Sequence, residues 1–140
     1  MKKEAQISSE HHQHHVLSAV NDGLYCQGCK VTFTNLADRT PWLRIYFGDW
    51  HKVYIVVIYN RENYRHRIQY TDIHTFGENP TTGRELCTQI LDVGEVFDIE
   101  VTCSQPRIGK GIELSQDDIP SWQYRLITFR EVMVFGKKLD

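Results

Sequence analysis

The chain has no apolar run approaching the roughly 20 residues that a membrane-spanning helix needs, so no membrane span is expected. It has no basic excess. Sixteen Lys and Arg against eighteen Asp and Glu leave a formal net charge of −2, which argues against a general nucleic-acid binder. Four prolines and nine glycines are too few for a low-complexity or disordered chain. No stretch keeps a helical period, and no internal repeat or second domain is visible. There is no phosphate-cradling glycine loop and no recognisable nucleophile–base pair, and Asp117-Asp118 beside Pro120 reads as a turn. An enzyme is therefore not expected. What remains is a chain of 140 residues with 41% hydrophobic residues, enough for one domain with a core that needs neither metal nor disulfide staples.

Four cysteines occur. Cys26-Gln-Gly-Cys29 has the spacing of a zinc half-site or a redox motif, but the context of either is missing. The plainer readings are a loop disulfide or two idle thiols. Cys87 and Cys103 flank a segment ending in Val96–Thr102, which alternates like a strand. That spacing suits a disulfide across a hairpin or between neighbouring strands, and so an oxidising compartment. Yet Met1-Lys-Lys-Glu leads into polar residues rather than a signal peptide. The two signals together suggest a fragment, a secreted domain cut from a longer precursor, or an incomplete gene start. Residues 1–18 read as a polar leader, partly ordered. Its histidines His11, His12, His14 and His15 could bind a transition metal but are more simply solvated.

Residues 19–140 read as one β-domain. Trp42–Phe47 is a strand closed by a turn at Gly48-Asp49, and Lys52–Tyr59 is a buried strand rich in β-branched and aromatic residues. Further strands are predicted over 69–76, 96–102, 111–114 and 125–135. Many short strands punctuated by turns predict an all-β sandwich or barrel. Trp42, Trp50, Trp122, Tyr46 and Tyr59 read as core or rim packing.

Several segments, in order, resemble the fucolectin (F-type lectin) family of the discoidin or coagulation-factor type-C group. They are Ala5–Ser9, Ala19–Gly23, Pro41–Gly48, Val53–Arg61, the Cys87/Cys103 spacing, and Leu126–Gly136. The resemblance covers nearly the whole chain, except that the family's first strand finds no counterpart. It implies a jelly-roll β-sandwich of the galactose-binding-domain type. It also implies a lectin function: binding fucose or a related sugar at one end of the sandwich, with calcium bracing the loops there.

For the sugar site, the resemblance implies Arg61 as the first motif arginine and Arg67 as the second, with Arg65 as a rival. Asn63 stands where the motif has Asp, and Tyr64 offers a stacking face in place of the family's disulfide between adjacent cysteines. The motif histidine is absent. A neutral sugar needs planar charged donors for its hydroxyls and a flat apolar surface for its ring, and these residue types supply both. The plain alternative is that Arg61, Arg65, His66 and Arg67 form a solvated basic loop. For calcium, the resemblance implies Asp22 and Glu131; plainly read, these are a turn residue and a solvent-facing strand residue. Arg130 replaces a family cysteine, so the family's disulfide from the early loop to the last strand cannot form. The leading function is a carbohydrate-binding module with a glycan as partner. The alternative is a non-catalytic protein- or cell-surface-interaction module that kept the sandwich and lost the sugar. Weak affinity for single sugars makes multivalency an expectation, which leaves a homo-oligomer open.

Overall fold

Two long stretches of the chain each become a single strand of 18 residues. The computed structural model describes residues 4–8, 32–33, 40–60, 65–93, 98–116, 127–129 and 131–139. Its strands are β1 (Glu4–Ile7), β2 (Thr32–Phe33), β3 (Trp42–Tyr59), β4 (Asp72–Phe76), β5 (Glu85–Gln89), β6 (Asp98–Ser115), β7 (Thr128–Phe129) and β8 (Glu131–Lys138). A four-residue 3-10 helix spans Arg65–Ile68. Every strand pairing among the described residues is antiparallel. The main sheet runs β1-β3-β6-β4-β5, with β8 also on β3, and β2 and β7 form a separate two-stranded ladder.

The two long strands make the sandwich because each serves both layers. The first part of β3 pairs with β1 and with the end of β6, in registers such as Leu43↔Leu114. Its second part pairs with the start of β6 and with β8, as in Val56↔Val101 and Val56↔Val134. The register breaks between Tyr46 and His51. There Gly48 takes φ of +89°, a left-handed conformation that costs a side-chain-bearing residue more. The turn expected at Gly48-Asp49 is thus a corner inside one strand. The same holds for 96–102 and 111–114, which join into β6. Leu43, Ile45, Ile73, Ile112 and Leu114 from one layer meet Val56, Ile58, Ile99 and Val132 from the other in one buried cluster. Each such side chain contributes about 1.5–3 kcal/mol by leaving water. The result is an all-β jelly-roll sandwich.

Further elements differ from the sequence expectation. β5 was not foreseen, because Glu85-Leu-Cys-Thr-Gln89 buries only Cys87 fully and carries no apolar alternation. The strand expected over 69–76 begins at Asp72, after the 3-10 helix and a turn. The strand expected over 125–135 divides between β7 and β8, which belong to different sheets. β1 lies within the stretch read as a polar leader and pairs with Leu43–Tyr46.

The outward face of the first layer carries a charge cluster. Register places Arg44 and His74 on either side of Glu113. The Glu113 carboxylate, 2% exposed as a residue, accepts from Arg44 Nε at 2.7 Å and from Arg84 Nη1. Arg44 also stacks over the Trp42 ring at 3.8 Å. Two cations offset the cost of burying one carboxylate, and the aromatic face orders one of them.

Cys87 of β5 and Cys103 of β6 form the disulfide expected from their spacing. β5 reaches β6 without a ladder to it: Arg107 Nε donates to the Leu86 carbonyl at 2.9 Å and Ser104 Oγ to that of Cys87 at 3.3 Å. The covalent bond therefore ties the edge of one layer to the other. With a sequence separation of 16 residues, replacing both cysteines by alanine is expected to lower stability by about 3 kcal/mol, measured by chemical denaturation. An unchanged midpoint would contradict this role.

Candidate functional site

Both ends of β3 lie at one pole of the sandwich, beside the 3-10 helix. At the N-terminal end, Gln116 donates its backbone N–H to the Pro41 carbonyl at 3.2 Å. The Gln116 side chain then reaches the helix, with Nε2 donating to the Arg67 carbonyl at 2.9 Å and to Thr71 Oγ1 at 3.2 Å. At the C-terminal end, Tyr59 is opposite Glu131, the first residue of β8. β7, just before it, packs against the helix. Asn60, Ile68, Thr71, Ile90, Gln116 and Ile127 are all fully buried beneath this pole.

The helix exits through a constrained turn. Tyr70 has φ of 65°, a strained conformation for a bulky side chain. Backbone bonds hold it: Tyr70 N–H to the Ile90 carbonyl at 2.6 Å, Ile90 N–H to Thr71 at 2.9 Å, and Thr71 N–H to Ile68 at 3.2 Å. Gln69 Nε2 adds a bond to the Leu91 carbonyl at 2.7 Å. The backbone carrying Arg67 is therefore fixed from three directions, so no backbone ordering is needed when its side chain donates.

Among the expected site residues, Arg67 is half-buried on this helix, beside exposed His66. Arg65 opens the helix and Glu131 opens β8, each described by its backbone alone. Arg61, Asn63, Tyr64 and Asp22 lie outside the described residues, as do Cys26, Cys29, Arg130, Trp122 and His11, His12, His14 and His15. The two residues expected for calcium are oxygen donors of the kind the ion takes. Of them only the Glu131 backbone is placed, and it stands at this pole. Among the described residues no group of three or more His, Cys, Asp or Glu side chains could hold a metal ion, and no helix is long and apolar enough to cross a membrane.

Sequence reading missed Gln116 and Tyr70. A glutamine next to Asp117-Asp118 looks like loop, and nothing local marks a tyrosine for a positive φ.

No family model matches the chain, and no curated protein matches it. Solved structures do. A fucolectin from the serum of the striped bass, Morone saxatilis, superposes with a TM-score of 0.85 at 22% identity. The match takes in 99% of this chain and 47% of that one, so the chain spans about half the length of that lectin. The fold is that of the fucolectins. A fucose-binding module of Streptococcus pneumoniae superposes with a TM-score of 0.75 at 21% identity, over 99% of this chain and 96% of its own. A family 32 carbohydrate-binding module of Clostridium perfringens, solved with galactose, gives 0.69 at 17% identity over 94% and 91%. The fucolectin-type sandwich is thus shared along the chain, including the β-layers that frame the 3-10 pole.

Gln116→Ala would remove both side-chain bonds to the helix segment. It is expected to cost about 1–3 kcal/mol and to speed amide exchange at Tyr70 and Thr71. Exchange that is faster everywhere to the same degree would contradict a local bracing role.

Proposed function

We propose that this chain is a carbohydrate-binding module, a diverged lectin of the fucose-binding type that takes glycans at the 3-10 pole. The observation that carries the reading is Arg67, half-buried on a helix whose backbone is anchored to Gln116 and, through Tyr70, to Ile90. The fold shared with fucose- and galactose-binding modules supports it. Arg61 and Arg67 donate to vicinal sugar hydroxyls, with Arg65 as the alternative donor. Asn63 orients an arginine as an uncharged acceptor, more weakly than Asp would. Tyr64 supplies the ring face against which the apolar side of the sugar packs.

Calcium belongs to this reading as a brace. Asp22 and Glu131 would hold it, and when bound it would supply a fixed positive centre that keeps the surrounding loops in one arrangement. The module does no chemistry of its own. The Cys87–Cys103 bond fits an extracellular setting, as one unit of a longer secreted protein. Single-site affinity for a monosaccharide is weak, so several copies in one assembly would raise it.

A broad glycan array, run with calcium and again with chelator, tests the reading. Binding to fucosylated or galactosylated glycans is expected. Arg67→Ala should weaken it by about tenfold to a hundredfold, the effect of losing charged hydrogen bonds, while the far-ultraviolet spectrum stays unchanged. Chelator should lower both binding and the melting temperature. A folded domain that binds no glycan would leave a protein- or cell-surface-interaction module in its place.

A further inference from the structure

The corner of β3 lies at the pole opposite the 3-10 helix, because both ends of that strand meet the helix pole. At this far pole Trp50 remains 40% exposed. Tryptophan is largely buried on average, so an indole left in water on a corner is unusual. The six-membered ring rests against Gly77 of the β4–β5 connection, where a Cβ would stand 2.9 Å from the Cη2 of Trp50. The Trp50 carbonyl accepts from the Leu139 N–H at 2.8 Å, which fixes the backbone beneath the ring.

One charged pair borders the ring, and a second lies at the residue before it in the chain. Lys110 Nζ lies 5.8 Å from the ring centroid and 2.7 Å from Glu78 Oε1. On the Asp49 side, Lys138 Nζ stands 3.0 Å from Oδ2. Hydrogen bonding and charge from Lys138 hold the Asp49 carboxyl below its usual range, and His51 and Lys110 act in the same direction. Asp49 is thus an ionised acceptor at neutral pH. A carboxylate–ammonium pair accepts from one hydroxyl through the carboxylate and donates to the next through the ammonium, which matches adjacent hydroxyls on a sugar ring.

We propose that Trp50 is the platform of a second sugar site, taking a neutral pyranose with vicinal hydroxyls that stacks on the indole and bonds to the Glu78–Lys110 and Asp49–Lys138 pairs. The site is separate from the 3-10 pole and depends on none of its arginines. Two sites at opposite poles would let one domain bridge two glycan chains. That is an avidity device within a single chain.

The test is a titration of the whole chain with D-galactose, L-fucose, D-mannose and D-glucose, followed by the indole N–H signals of its three tryptophans. Trp50→Phe assigns the signal. A saturable shift of the Trp50 indole by at least one of the four sugars is expected. Glu78→Gln should weaken that response about tenfold, the loss of one charge-assisted hydrogen bond. Arg67→Ala should leave the Trp50 response unchanged, which separates this site from the one at the helix pole. A Trp50 signal unmoved by all four sugars in the folded protein would overturn the proposal. So would a shift that disappears with Arg67→Ala.

Discussion

Everything else in the molecule hangs on the ladder between β3 and β6. Two strands of 18 residues run antiparallel through both layers and turn the corner together. Because a one-residue slip would turn every core side chain outward, burial of Leu43, Ile45, Val56 and Ile58 against Leu114, Ile112 and Ile99 pins the register along its length. The other strands of the main sheet attach to this ladder: β1 and β8 on β3, β4 on β6, β5 on β4, while β2 and β7 pair only with each other. The corner allows the layers to face each other, and the disulfide closes the edge that the ladder leaves free.

That architecture divides the surface into two poles of different chemistry. The helix pole is built on buried polar bracing, with Gln116, Thr71 and Asn60 fully enclosed. Such bracing costs desolvation unless every group is bonded, and it returns a backbone held in one arrangement. The corner pole has an exposed aromatic ring and exposed ion pairs instead. Surface pairs of this kind contribute little to stability, so Asp49–Lys138 and Glu78–Lys110 do not explain themselves as fold-holding contacts. The Arg44–Glu113–Arg84 group on the sheet face, centred on a buried carboxylate, is the structural counterpart.

The all-β class, the disulfide and the family likeness were legible in the sequence because each is local or nearly so. Val53–Tyr59 is apolar enough to be read as a buried strand unaided, and the Cys87/Cys103 spacing already suited neighbouring strands. The corner was misread because Gly48-Asp49 is chemically a turn. Only the pairing of residues on both sides with the same partner strand shows that the chain continues. β5 leaves no signal because Cys87 is its one fully buried side chain, too little apolar content to show alternation. At the site, Arg67 could be named from the motif, but its support could not. Gln116 is 49 residues from Arg67 in sequence, and a contact of that span leaves no local pattern. Trp50 was read as packing because nothing in a sequence states how much of a ring stays in water.

A glycan bound at the helix pole, as proposed, would order the backbone beneath it, and hydrogen exchange with and without saturating L-fucose or D-galactose reads that ordering. The amides of Tyr70, Thr71 and Ile90, which bond across the base of that pole, are expected to exchange more slowly when sugar is present. Unchanged exchange at all three with both sugars would contradict glycan binding at this pole.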